Sequence, residues 1–584
     1  MSQAEPLFSG FPAVDGSKWK SRVLEELKGA DYSKIVWKTP EGFAMEPWYN
    51  RQSALPAPAV PFDRSSNRWR ICQQIPVTDP ATASAAAEIA LGGGADAIEF
   101  LLDGKANLDM AGLALLLKHI DLTQVPIYFS GVIVDAASLL DNLMALPGFA
   151  SNTGAILHNA LASPGTTIPS AAVGLRPAGF RTLAVDTTRF HKAGATITQE
   201  IAIALAGVSE YLSRLTDDGV EAAEAASDIE IVVAAGTSHF PELSKLRALR
   251  AIWPQLLEAY GVPASSRPEP RIFVRTSGRS SSALDPYTNI LRLSTEAVSA
   301  ILGGCDTLQI DSFDPAGSVS AELSGRITRN IHLLLREESG LDRVVDPAAG
   351  SWYIDTMTAS LCSAAWTLFK EIEAAGGLLQ AESGGVIAAM IAPAADALKK
   401  SINTRKRSLT GINRYTVPPS PEVVAACLNA GDRNVVELSF EQLRLRLIAH
   451  TTRTGSTPRA SLWLHGEPSK SLRVAAFADD FLRSGGFDVA PGTTLELETK
   501  SCRTILKDEP DIVVFCWTGE EDLASVPAIC STIQELRKET IVIMAAKPPV
   551  NAGELIKAGL DHFIYTGCDV FTSLLSLQHK TGVL

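Results

Sequence analysis

Histidine is the side chain best suited to acid–base or metal work near neutral pH, and its neighbours decide what it can do. His465 stands in the run Trp463-Leu-His465-Gly-Glu-Pro468, at the end of an apolar stretch of strand length. An imagined metal ligand there needs a carboxylate on its second ring nitrogen; without one, a lone imidazole at a strand end is a structural or solvent-facing group. His239 has no carboxylate pair or cysteine spacing of a zinc site around it. Gly92-Gly-Gly-Ala-Asp96 lacks the strand, the Gly-x-Gly-x-x-Gly spacing and the helix of a dinucleotide loop. No Gly-x-Ser-x-Gly elbow occurs, so a Ser-His-Asp triad would have to be assembled by the fold, which leaves that chemistry open. The eight cysteines, at 72, 305, 362, 427, 502, 516, 530 and 568, form no Cys-x-x-Cys pair. They fit a reduced, cytoplasmic protein. Arg405-Lys406-Arg407 is the only dense basic run, and its plain reading is a solvated helix end or loop.

The elements that would have to position such groups can be read from hydrophobic periodicity. With 584 residues, 46% of them hydrophobic and 20% charged, the chain has ample material for a large core and a second, medium one. A net charge of −13 argues against nucleic acid or an anionic membrane as partner. Met1–Gly10 does not read as a signal peptide, and no membrane-length apolar run occurs, which predicts a soluble protein. Residues 1–68 mix a short helical stretch, Trp19–Leu27, with Pro-rich extended sequence and read as a wrapping arm. From Trp69 onwards, strand-length apolar runs alternate with helical stretches, the cadence of βα units. The predicted strands are Arg70–Ile75, Ala97–Leu102, Pro126–Ser130, Gly154–His158, Arg181–Asp186, Ile229–Ala235, Arg271–Thr276 and Thr307–Asp311, the eight that close a (β/α)8 TIM barrel. Ile201, Leu205, Val208 and Leu212 mark the apolar face of one of its helices. The barrel with its following helices is assigned to residues 69–400, a linker region to 401–457, and a second α/β unit to 458–584. That unit has strands at Ser461–Leu464, Phe487–Val489, Asp511–Trp517, Thr540–Ala545 and His562–Tyr565, which predicts a flavodoxin-like doubly wound sheet.

Several long stretches resemble the methylmalonyl-CoA mutase family. They are Trp37-Lys-Thr-Pro-Glu-Gly42 with Pro47-Trp-Tyr49, Trp69-Arg-Ile-Cys-Gln73, Asp285-Pro-Tyr-Thr-Asn-Ile-Leu-Arg292, Arg326-Ile-Thr-Arg-Asn330, Glu337-Glu-Ser339, Asp346-Pro-Ala-Ala-Gly-Ser-Trp-Tyr353 and Thr410-Gly-Ile-Asn413. The resemblance implies a barrel whose axis admits the pantetheine arm of an acyl-CoA, and adenosylcobalamin held against a C-terminal cobalamin-type domain. The chemistry would be a radical carbon-skeleton rearrangement carried by the cofactor.

Departures from the family pattern fall at the ligand positions. The family's cobalt loop reads Asp-x-His-x-x-Gly; here Trp463 stands for the Asp and Pro468 for the Gly, leaving His465 alone. Phe515-Cys-Trp-Thr518 and Met544-Ala-Ala546 replace the Ser-x-Leu element and the Gly-Gly turn that make room for the nucleotide tail, whereas Gly485-Gly-Phe-Asp-Val489 is kept. In the barrel, Gln74 replaces the Tyr that packs near substrate in catalytic chains, and Cys72 replaces an Arg. The segment bringing the Arg for the substrate carboxylate looks shortened between Ser151 and Phe180. His191, in Phe190-His-Lys-Ala-Gly194, resembles the family's substrate-contacting His and is its vestige. These departures lead to the small, non-catalytic subunit of a heterodimer. Its partner would be a homologous large catalytic subunit carrying both adenosylcobalamin and acyl-CoA, and this chain would bind no cofactor or metal. A stand-alone active mutase with a divergent cofactor site, or an acyl-CoA-binding scaffold, are the alternatives.

Overall fold

The computed structural model describes residues 15–56, 58–62, 64–104, 108–159, 161, 176–429, 439–495, 502, 503, 506–518 and 521–584. Eight parallel strands form the larger sheet: β1 (Arg70–Val77), β2 (Ala97–Leu102), β3 (Ile127–Gly131), β4 (Ala155–Ile156), β5 (Leu183–Asp186), β6 (Ile229–Ala235), β7 (Arg271–Thr276) and β8 (Thr307–Gln309). Their order is β4-β3-β2-β1-β8-β7-β6-β5, and a bridge between Ala155 and Arg181 brings the two ends together. This is the predicted TIM barrel. The fourth strand is shorter than predicted, two residues against five, because only Ala155 and Ile156 find ladder partners in β3. Much of the stretch between it and β5 lies outside the described residues.

Helix α1 (Ile197–Asp217) shows why the coat forms where it does. Thr196 and Gln199 make a reciprocal capping box at its start, and the predicted face of Ile201, Leu205, Val208 and Leu212 is buried. Helices α2 (His239–Ala259) and α3 (Trp352–Ala374) pack on it and on each other. They meet over a buried arginine: Arg247 donates from Nε and Nη2 to both oxygens of Asp346 at 2.8 and 3.1 Å, and from Nη2 to Asp355 at 2.9 Å. Asp346 takes φ +44 to do this, a left-handed conformation unusual for a residue with a side chain. The arm is tied to the barrel as well. Asn67 donates to the carbonyls of Ile301 and Leu341 at 2.9 and 3.2 Å.

The second compact unit comprises Thr276–Thr295, Ile310–Ile331 and Ala395–Leu584. Its sheet has β9 (Arg459–His465), β10 (Asp488–Thr494), β11 (Ile512–Trp517), β12 (Ile541–Met544) and β13 (His562–Phe563). The order β10-β9-β11-β12-β13, all parallel, is the flavodoxin-like arrangement predicted. Residues 401–457, expected as a linker, do more than connect. Leu409, Ile412, Phe440, Leu443 and Leu447 are buried in one cluster with Leu462, Phe481 and Ile512 of the sheet layer. Glu441, at the start of α4 (Ser439–Thr454), accepts the backbone N–H groups of Ala283 and Leu284 at 3.1 Å. The basic run is likewise not simply solvated: Arg405 is buried and bonded to Asp480 at 2.9 Å. Gly485 is explained by packing, since a Cβ there would meet Leu574 at 2.8 Å. No helix among the described residues is long and apolar enough to cross a membrane.

One buried contact makes the barrel's stability depend on pH. The Trp69 indole donates to Nδ1 of His332 at 3.1 Å, and both rings are buried. Burial, reinforced by the Arg336 charge, pushes His332 down to about 3. An unfolded chain protonates this imidazole near its ordinary value of about 6.5, so the folded state loses stability as pH falls from there towards 3. Denaturant unfolding at pH 7.5 and 4.5 should show a loss attributable to His332 with a limiting slope of about 1.4 kcal/mol per pH unit. In His332→Asn, which keeps an acceptor but cannot titrate, the loss should be smaller by that share; equal losses would refute the assignment.

Candidate functional site

The lumen of a TIM barrel is where an axial ligand would have to pass, and the inward-facing residues decide whether it can. Tyr128 spans from the N-terminal mouth to the middle. Its hydroxyl receives Arg70 at 2.9 Å and Arg271 at 3.2 Å, and lies 2.9 Å from the Thr307 hydroxyl. Both arginines also reach the Thr153 carbonyl, and Arg271 pairs with Glu230 at 3.2 Å. The middle tier is apolar: Cys72, Ala97, Ala155, Leu157, Ala184 and Val232 surround the Tyr128 and Phe273 rings, whose centroids are 5.1 Å apart. Burial pushes the Cys72 thiol well up, leaving it protonated and inert.

Towards the C-terminal mouth lies a third tier, centred on Glu99, which is fully buried. Arg275 meets it in a two-pronged pair, Nη1 to Oε2 at 2.8 Å and Nη2 to Oε1 at 2.6 Å. Gln74 donates its amide to Oε1 at 3.1 Å, and the Ser130 hydroxyl donates to the same oxygen. Arg275 also lies 3.4 Å from the Gln309 side-chain oxygen. The tier is an interlocked set of paired charges and amides. The guanidinium, the amide and the hydroxyl occupy a carboxylate that is thereby neutralised in place.

His191 sits on a second network. It belongs to a short helix, Thr188–Lys192, after β5, and its Nδ1 lies 3.6 Å from Glu200 Oε2. Lys245, fully buried on α2, contacts Glu200 at 2.8 Å, Glu242 at 2.7 Å and the Ala234 carbonyl at 2.5 Å. Glu200 accepts the Thr187 hydroxyl and the Ala234 N–H, each at 3.0 Å. Burial opposes its ionisation, but Lys245 and His191 outweigh that and hold it well below the ordinary carboxylate range. Burial also works against the Lys245 charge, and the two carboxylates overcome it and raise its pKa. Gly236 has no room for a side chain beside this cluster, since a Cβ would come within 2.8 Å of Glu242. Gln74 and His191, singled out from sequence, thus enter two separate networks. Glu99, Arg275, Glu200 and Lys245, which organise them, were not singled out.

In the second unit, Trp463 turns fully into the core beneath β9, donating to Ser461 Oγ at 3.0 Å and packing on Phe515 at 5.8 Å between centroids. Trp517 and Met544 belong to the same cluster. The His465 ring lies against Trp517 at 4.2 Å, with Nδ1 3.4 Å from the Leu495 carbonyl. The turn after it needs Gly466, at φ +94, because a Cβ would strike the Thr518 carbonyl at 2.1 Å. Pro468 opens α5 (Pro468–Arg483) in its first turn, where a missing N–H is harmless.

Residues 176–448 match the family model described as methylmalonyl-CoA mutase. The chain is 30% identical to the methylmalonyl-CoA mutase small subunit of Porphyromonas gingivalis, over 100% of its own length and 99% of that protein. It is 29% identical to the small subunit of Streptomyces virginiae, over 99% and 98%. With the methylmalonyl-CoA mutase of Rhizobium meliloti the identity is 34%, over 46% of this chain and 38% of that one.

The Glu200 network gives a graded expectation for mutants. Lys245→Met leaves two buried carboxylates without their cation and should cost about 3–5 kcal/mol in denaturant unfolding. His191→Gln, which retains a donor, should cost no more than about 1–2 kcal/mol. A larger loss for His191→Gln than for Lys245→Met would overturn this ranking.

Proposed function

This chain belongs to the methylmalonyl-CoA mutase family, and from that premise we propose that it is the small, non-catalytic subunit of a heterodimeric, adenosylcobalamin-dependent mutase. The large subunit carries cofactor and acyl-CoA and interconverts methylmalonyl-CoA and succinyl-CoA, and this chain supports it as a structural partner. The observation that carries the reading is the filled lumen. A pantetheine arm would have to displace the Tyr128 and Phe273 rings and part the Glu99–Arg275 pair, and separating a buried ion pair costs several kcal/mol.

The residues present do not fit a corrinoid either. Cobalt ligation asks for an imidazole with one open nitrogen and a carboxylate on the other. His465 instead rests on Trp517, its Nδ1 is 3.4 Å from a backbone carbonyl, and Trp463 occupies the core position of the missing Asp. Phe515 and Met544 occupy the sheet face that a nucleotide tail would need. On this reading Gln74 and His191 hold the fold and take no part in turnover: Gln74 completes the Glu99 shell and His191 the Glu200 network.

Purification of the chain alone and titration with adenosylcobalamin should give no change in the corrinoid spectrum, and methylmalonyl-CoA should not raise its melting temperature. Mixing with the large subunit should give a stoichiometric complex that turns over. A histidine-ligated cobalt spectrum from the lone chain would instead establish the divergent active mutase. Thermal protection by the acyl-CoA would establish the scaffold that binds it.

A further inference from the structure

We propose that the groove between Val417–Pro419 and helix α4 is a binding site for a small apolar carboxylate, independent of the mutase reaction. The groove encloses about 250 Å³. That is slightly below the usual range for drug-sized ligands, which limits an occupant to roughly eight to twelve non-hydrogen atoms. Its surface is mainly apolar, with Val417, Pro418, Leu447, Ile448 and Phe487 among the lining residues. Among the described residues the charged groups lining it are Arg444 and Arg483, with no carboxylate in the lining. An apolar chain with one negative end is the complement of such a surface.

The groove is preformed. Arg444 is buried and donates to the Gly411 carbonyl at 3.0 Å and the Val417 carbonyl at 2.5 Å, holding the Pro-rich wall against α4. Tyr415 takes φ +54, and its N–H is held by Asp480 at 2.8 Å. A strained turn fixed in this way costs a ligand little further ordering. Thr416, in the lining, carries a buried hydroxyl with no hydrogen-bond partner among the described residues, an orphan that marks a place for a polar atom.

Arg483 supplies the charge at the rim. Its Nε is engaged by Asp479 at 2.8 Å and its Nη2 by the Val489 carbonyl at 3.0 Å, whereas Nη1 makes no hydrogen bond among the described residues. The guanidinium is half-exposed, so a carboxylate can reach it without burying an unpaired charge. Asp479 competes for the same group, which gives the site a built-in control.

Hexanoate, with 1-hexanol as its uncharged counterpart, can be titrated into the full-length chain and followed by saturation-transfer NMR and melting temperature. Hexanoate should bind at least tenfold more tightly than hexanol. Ile448→Trp, which fills the groove, should abolish binding; Arg483→Gln should weaken hexanoate about tenfold without affecting hexanol; Asp479→Asn should tighten it. Arg483→Gln changes a half-exposed side chain whose contacts are all within its own rim, so it decides the matter even where Ile448→Trp fails to fold. Equal affinity for acid and alcohol, or unchanged hexanoate binding in Arg483→Gln, would overturn the proposal.

Discussion

A carboxylate fixed inside a parallel barrel has no water to face, and the requirement that its charge be matched governs the interior of this molecule. Glu99 sits on β2 with no exposed surface. Leaving it unpaired would cost several kcal/mol, a sizeable share of the net stability of an ordinary domain. Arg275 meets it from β7 with both prongs, and Gln74 and Ser130 take up what the guanidinium leaves. With these four present together, each member satisfies a buried group that would otherwise be stranded. The same rule shapes the mouth below, where Arg70 and Arg271 share the Tyr128 hydroxyl and Arg271 pairs with Glu230.

Seen this way, the barrel uses its lumen as a core. Two charged tiers sandwiching aromatic rings reproduce the layered filling of a packed barrel interior. The second unit makes a similar substitution with apolar groups. Trp463, Phe515, Trp517 and Met544 pack one sheet face densely enough that the sheet is stabilised by its own side chains.

The strand positions and the fold class of both sheets were legible from sequence because parallel strands are continuous apolar runs separated by amphipathic helices, and that pattern depends on no special residue. The fourth strand was shorter than its apolar run, since ladder partners and not hydrophobicity set its ends. The region 401–457 misled because Pro418, Pro419 and Pro421 look like punctuation, and its buried faces declare themselves only against the sheet. Of the candidate site, Gln74 was visible as a departure from a family pattern, and His191 and His465 as remnants of one. Glu99 and Lys245 were not, although a signal existed: a lone Glu inside Ala97–Leu102 and a lone Lys on the apolar side of α2 are charges that must be paired in the fold. What sequence could not supply is the partner, because Arg275 is 176 residues away from Glu99.

The motifs that carry the family resemblance serve architecture in this chain. Asp346, opening one of the two longest, grips Arg247 together with Asp355 and pins α3 to α2. Asn289, in another, donates to the Ser282 and Phe313 carbonyls at 2.7 and 2.8 Å and accepts from the Ser282 N–H, closing two loops of the second unit. Trp69 finds its partner in His332. None of these groups touches the lumen charges or His465, so they place no demand on what those positions do. The motifs by which the family is recognised can therefore hold the scaffold independently of the side chains that line the barrel, and it is those lining side chains that bear on chemistry.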